Sequence, residues 1–96
     1  MLKPIAKRLH DPQAKLDYTV DWSLWLATGE TISAVDWSAS PAGLTLSDSS
    51  IADDGLAATI WVQGGPVGAV YTITCHITTS SGREDDRSFV LSIEQR

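Results

Sequence analysis

The sequence predicts an all-β protein, built as an antiparallel β-sandwich of six or seven strands. A chain of 96 residues is the size of one domain. Apolar and polar residues alternate along several segments, most regularly over residues 69–79, as they do in half-buried strands. Turn-forming residues separate these segments, and none of them shows a helical period. Two packed sheets are the simplest way to bury such strands.

Residues 1–16 are predicted to form an extended basic arm, and residues 17–96 the sandwich domain. Pro4 and Pro12 interrupt any helix in the arm. The first strand of the domain is expected over residues 17–26, bent near Ser23. Its inward face is an alternating set of apolar residues: Tyr18, Val20, Trp22, Leu24 and Leu26.

The second strand, over residues 31–39, carries apolar residues on both parities. Burying Ile32 and Trp37 together requires a change of face, so we predict a β-bulge at Ala34. A short strand with Leu44 and Leu46 turned inward follows, and Ile51 is expected to fill the core beneath the next loop. The remaining strands alternate cleanly, with inward faces at Leu56, Ala58, Ile60 and Val62, at Ala69, Tyr71, Ile73, Cys75 and Ile77, and at Phe89, Leu91 and Ile93.

Tyr71 begins the penultimate strand just after the Gly-rich segment 64–68. A tyrosine that anchors a corner at this place is typical of immunoglobulin-like domains, which makes that fold the specific prediction. A different small sandwich or barrel remains the alternative. Cys75 is the single cysteine, so it forms no internal disulfide, and it is expected to be a small core residue.

Charge divides the chain into two unlike parts. Residues 1–16 hold four basic residues and one acidic residue, a net charge of +3, whereas residues 17–96 carry three arginines and eleven carboxylates, a net charge of −8. The acidic body argues against binding to nucleic acid. No apolar run approaches the roughly 20 residues of a membrane span. The arm either lies on an acidic surface or is a solvated terminus.

No group of residues in the sequence predicts a catalytic or metal-binding site. His10 and His76 are far apart, and His76 has no carboxylate near it in sequence, so neither suits a general base or a zinc site. Asp48, Asp53 and Asp54 match no calcium loop. We therefore expect no catalytic residue, no cofactor and no bound metal.

Two features of the sequence instead predict contacts with partners. Trp25 and Trp61 occupy parities that face away from the expected core, and exposed tryptophans often anchor interfaces. With the arm they form the predicted partner-binding set: Lys3, Lys7, Arg8, Lys15, Trp25 and Trp61. The alternative is that a bulge turns one or both tryptophans inward. Residues 83–87 are expected to be a charged hairpin loop that pairs its own charges.

Several motifs of residues 11–95 resemble a family of small tailed-bacteriophage virion proteins, often described as fibre-tail adaptors. The most specific are Asp17-Tyr18 with Asp21-Trp22, and Ile77-Thr78-Thr79 followed by Gly82-Arg83, Asp85 and Arg87. The resemblance implies a structural component of the virion with no catalytic activity. We expect it to be made in the bacterial host cytoplasm, because the first residues form no apolar signal segment and a single cysteine fits a reducing compartment. We expect several copies of the protein in the virion. Its partners would be other tail, adaptor or fibre subunits, with no nucleic acid or membrane.

Two other functions are compatible with these observations. A capsid decoration protein would bind the head lattice instead of the tail. A carbohydrate-binding module would stack sugar rings on surface tryptophans such as Trp25 and Trp61.

Overall fold

A computed structural model describes residues 6–10, as backbone positions, and residues 14–94. The described residues form seven strands and no helix, so they include no helix that could span a membrane. The strands are β1 (Ala6–His10), β2 (Lys15–Asp21), β3 (Ile32–Ser40), β4 (Leu44–Ile51), β5 (Ala57–Gly64), β6 (Val70–Thr79) and β7 (Glu84–Ile93). The predicted all-β class is confirmed.

The strands form two sheets, one with the order β1-β7-β6-β3 and the other with the order β2-β5-β4. Strands β2 to β7 pair in antiparallel fashion within their sheets, whereas β1 runs parallel to β7. Immunoglobulin constant-type domains order six of their strands as B-E-D and G-F-C, which corresponds to β2-β5-β4 and β7-β6-β3 here. The immunoglobulin-like assignment stays a prediction that this order favours.

The part of the chain expected to be an arm contributes to both sheets. Residues 6–10 are β1, in which Lys7 lies opposite Val90 and Arg8 opposite Leu91 of β7. Lys15 and Leu16 are the first residues of β2. A boundary at residue 16 between arm and domain stays a prediction.

The core lies between the sheets and consists of two adjoining clusters of buried side chains. One contains Ile60, Val62, Tyr71, Ile73, Phe89, Leu91 and Ile93, and the other contains Trp22, Ile32, Ala58, Cys75 and Ile77. The alternation predicted for β5, β6 and β7 is therefore confirmed. Burial raises the pKa of the Cys75 thiol to about 11, which fits its predicted place as a core residue.

The predicted bulge in β3 is confirmed. The register of β3 against β6 shifts between Ile32 and Ala34. The shift allows Ile32 to be buried while Trp37, on the opposite parity, packs against both core clusters.

The first strand of the domain ends earlier than predicted. β2 stops at Asp21, whose Oδ1 accepts a hydrogen bond from the Ser23 amide at 2.8 Å, and a turn begins at Trp22. An Asp side chain that binds the backbone two residues ahead favours a turn over a strand. Trp22 is buried as predicted, but the inward orientation predicted for Leu24 is wrong, because the turn exposes it fully.

The charged segment near the C-terminus is also placed differently. The β6–β7 hairpin turns at residues 80–83, and residues 84–87 belong to β7, so the expected loop over residues 83–87 is wrong. The carboxylates of this segment therefore lie along a strand, beside the side chains of β6.

Candidate interaction surface

Two connections meet at one end of the sandwich, the β2–β3 connection (residues 22–31) and the β6–β7 turn (residues 80–83). We call this surface the loop end. The Ser80 amide donates to the Thr31 carbonyl at 2.8 Å, and the Thr31 amide donates to Ser80 Oγ at 3.1 Å. These reciprocal bonds hold the two connections against each other.

The buried carboxylate of Glu30 ties the loop end together. It accepts hydrogen bonds from the Thr79 hydroxyl at 2.6 Å, from the Ser81 hydroxyl, from the Ala27 amide at 3.0 Å and from the Arg83 guanidinium, whose Nε lies 3.0 Å from Oε2. The Arg83 guanidinium, followed by the two hydroxyls, holds the pKa of Glu30 far below its usual value. The carboxylate therefore stays ionised at neutral pH and binds both connections.

Two arginines lie over the tryptophans of the same surface. The Arg83 guanidinium is 4.1 Å from the Trp25 ring centre, and the Arg87 guanidinium is 4.3 Å from that of Trp22. The two indoles meet edge to face, with their centres 5.4 Å apart. Cation–π contacts and edge-to-face ring packing both restrict side-chain motion. Residues 83–87 were expected to pair their own charges, but the ion pair of Arg83 is with Glu30, outside that segment.

The predicted binding residue Trp25 is half-buried and packs against the second core cluster. The turn that begins at Trp22 brings it there, through the hydrogen bond from the Trp25 amide to the Trp22 carbonyl at 2.9 Å. Leu24, between the two tryptophans in sequence, is instead the most exposed large apolar residue among those with described side chains, with a relative exposure of 101%. The sequence analysis did not identify Leu24 as an exposed residue, because it extended the alternation of the strand past Asp21.

Trp61 and Lys15, both predicted to bind a partner, meet on the outer face of the three-stranded sheet. The Lys15 ammonium is 5.8 Å from the Trp61 ring centre and 3.1 Å from Oδ2 of Asp48. Lys15 thus reaches from β2 across β5 to β4. An exposed ion pair of this kind contributes only about 0–1 kcal/mol, so the arrangement leaves Lys15 available to a partner.

The remaining predicted residues belong to the N-terminal part of the chain. Lys3 lies outside the described residues. Lys7 and Arg8 are placed only as positions of β1, at the edge of the four-stranded sheet. Their role in binding stays a prediction.

Two carboxylates that the sequence did not indicate lie beside His76. Its Nδ1 bonds to Asp86, and its Nε2 lies 2.9 Å from Oε1 of Glu84. The bond to Asp86, then that to Glu84, raises the pKa of His76 above its usual value. Both carboxylates are distant from His76 in sequence, as stated above, and they lie beside it in space because β7 runs beside β6. Among residues with described side chains, no three His, Cys, Asp or Glu are placed to hold a metal.

Comparison with known proteins points to one family. The sequence model of the family described as "Podophage GP4 fiber-tail adaptor protein gp77" matches residues 10–92. The match includes the loop end, Trp61 and the β6–β7 hairpin as far as Ser92. A comparison with curated proteins found no match.

Proposed function

Because this chain belongs to the podophage fibre-tail adaptor family, we propose that it is a non-enzymatic structural protein of the virion that joins tail fibres to the tail. We further propose that the loop end is the surface through which it docks. Its partners are then other tail, adaptor or fibre subunits. It acts in several copies, and neither nucleic acid nor membrane takes part.

The proposal rests on the exposed side chain of Leu24. Leu24 lies in the β2–β3 connection, which Glu30 fixes by its hydrogen bonds. An apolar side chain contributes most to binding when it enters a pocket of the partner. The conformational entropy lost on binding is smallest when the loop that carries the side chain is already ordered. The Glu30 hydrogen bonds and the Trp22–Trp25 contact order the connection on both sides of Leu24. Leu24 is therefore presented in a fixed position.

The placement of the tryptophans supports docking to a protein over stacking of sugars. Sugar rings stack on open aromatic faces, whereas Arg83 lies over Trp25 and Lys15 lies over Trp61. A sugar would have to displace a cation at the covered face of each ring. The loop end thus favours an adaptor over a carbohydrate-binding module.

The test is a particle in which Leu24→Asp replaces the wild-type chain. We expect a folded protein, because Leu24 makes no core contact, and virions that lack most of their fibres. The matched control is Val67→Asp, which makes the same apolar-to-acidic change at a residue 59% exposed on the opposite end of the sandwich.

Fibre content, counted by electron microscopy, decides between the outcomes. A loss with Leu24→Asp but not with Val67→Asp supports docking by the loop end. Normal fibres on Leu24→Asp particles, or an equal loss with both variants, would contradict it.

A further inference from the structure

His76 lies on the outer face of the four-stranded sheet, where carboxylates from both neighbouring strands face it. Asp36 of β3 lies opposite His76 on one side, and Asp86 of β7 lies opposite it on the other. Glu84, two residues before Asp86, shares the same face of β7 and lies opposite Thr78. Three acidic side chains thus surround one imidazole.

The hydrogen bonds of this imidazole assign its charge. Nδ1 bonds to Oδ1 of Asp86, and Nε2 lies 2.9 Å from Oε1 of Glu84. An ionised carboxylate can only accept hydrogen bonds, and a neutral imidazole has one N–H to donate. Both carboxylates are more than half exposed, so water supports their ionised form. The two bonds can therefore exist together only when both ring nitrogens carry a proton and His76 is a cation.

The bond to Glu84 lies beside the turn that helps to build the loop end. Glu84 is the first residue of β7, and its pairing with Thr78 is the last of the ladder before the turn. The turn is closed by a hydrogen bond from the Thr79 amide to the Arg83 carbonyl at 2.8 Å, and both side chains bind the Glu30 carboxylate. His76 thus ties β7 to β6 next to the side chains that order the loop end.

We propose that His76 is a pH-dependent clasp of the β6–β7 hairpin, which fixes the loop end when it is protonated and loosens it when it is not. Loss of the proton to solvent leaves one N–H for two acceptors, so the bond to either Asp86 or Glu84 is lost. The carboxylates around the ring then repel one another without the cation that separates them. The consequence for docking rests on the proposed function, whereas the clasp itself is a property of the isolated chain.

The direction of the pH dependence follows from the same contacts. The bond to Asp86, and then that to Glu84, raises the pKa of His76 in the folded chain above its usual 6.5. The contribution of the clasp to stability is therefore fully present below pH 6.5, and it is lost as the pH rises through the folded pKa. Because all three side chains are partly exposed, solvent and salt screen the effect, and the order of the hairpin reports it better than global stability does.

The first test is an NMR titration of the His76 imidazole in the purified full-length chain, with the signal assigned by its loss in His76→Gln. We expect a midpoint above pH 6.5, which Glu84→Gln and Asp86→Asn should each lower. Asp17→Asn, the matched control at an exposed position of the other sheet, should leave the midpoint unchanged. A midpoint at or below pH 6.5, or one that neither Glu84→Gln nor Asp86→Asn lowers, would overturn the proposal.

The second test measures the hairpin itself by amide hydrogen exchange at about pH 5.5 and about pH 8.5, on either side of the expected transition. Protection is expressed relative to the unfolded chain, which removes the intrinsic pH dependence of exchange. In the wild type, the protection of the Thr79 amide should fall at least about threefold at the higher pH, while that of the Ile60 amide in β5 stays constant. His76→Gln should show no such fall, because its side chain has the same charge at both pH values.

Both measurements use the purified chain, so they test the clasp whether or not the loop end docks to a fibre. Equal protection of the Thr79 amide at the two pH values in the wild type, or the same fall in His76→Gln, would contradict the clasp. A fall of equal size at Ile60 would also contradict it, because the whole fold and not the hairpin would then respond to pH.

Discussion

Glu30 shows how one side chain can organise a surface. A buried carboxylate is costly unless cations and hydrogen-bond donors surround it. Here the donors come from its own connection and from the β6–β7 hairpin, about fifty residues later in the chain. Removing its charge should therefore loosen both connections at once, while the strands that pack the core remain.

We predict that Glu30→Gln lowers the melting temperature at pH 7 by about 5–10 °C, because the amide cannot replace the charged bonds to Arg83. The pKa of Glu30 in the folded chain lies below its usual 4.5. Its charge therefore stabilises the fold above that pH, and this contribution is lost as pH falls through the folded pKa.

Thermal unfolding between pH 7 and pH 3 measures the effect. The difference in melting temperature between wild type and Glu30→Gln should become smaller below about pH 4.5. Glu94→Gln, at an exposed position after β7, is the control and should differ little from wild type at any pH. A gap of constant size across this range would contradict the role given to the Glu30 charge.

No local pattern in the sequence could have indicated Glu30. It follows Thr28 and Gly29 in a segment that is typical of a turn, and its ion-pair partner Arg83 lies in a distant hairpin. His76 is a similar case, since both of its carboxylate partners belong to the next strand. Contacts of this kind depend on strand register, which alternation alone does not set.

At the level of strands and turns, alternation predicted most of the interior. β5, β6 and β7 bury one parity each, and the conflict between Ile32 and Trp37 correctly required a bulge. The predicted side-chain orientations are wrong where a side chain forms a hydrogen bond with the backbone, as Asp21 does at the end of β2. Alternation extended past such a point assigns the wrong face. This explains the wrong inward orientation of Leu24, and it explains why Trp25 packs against the core, which the sequence had left open as an alternative.

The β6–β7 register could have been found by placing the turn correctly. His76 lies opposite Asp86 because the hairpin turns at Ser80 to Arg83. If the loop is instead centred on the charged residues 83–87, the register shifts and every residue of β6 is paired with the wrong residue of β7. Ser81-Gly82, which includes a glycine with a φ of 86°, was the better turn signal.

The turn between β3 and β4 allows a prediction at this scale. Gly43 has a φ of 140°, and a Cβ added there would lie 2.6 Å from the hydroxyl oxygen of Tyr71. The predicted corner tyrosine thus packs against this turn. Gly43→Ala should destabilise the fold by about 1–3 kcal/mol, through backbone strain and this collision.

Urea unfolding of Gly43→Ala, Tyr71→Phe and the double variant separates the two causes. Removing the Tyr71 hydroxyl should recover part of the loss caused by Gly43→Ala, and the backbone strain should account for the rest. Strict additivity of the two changes would show that the collision plays no role.

On the scale of the whole molecule, the residues with described side chains form three surfaces that are open to a partner. The loop end presents Leu24, the outer face of the three-stranded sheet presents Lys15 with Trp61, and a groove opens between the edge strands β3 and β4. They occupy different parts of the sandwich, so one copy could contact a fibre and neighbouring copies at the same time.

Cryo-electron microscopy of the intact particle tests the central claim most directly. We predict several copies of this β-sandwich between tail and fibres, with Leu24 buried against a neighbouring protein. Copies on the head lattice, or copies on the tail whose loop end faces solvent, would contradict the account.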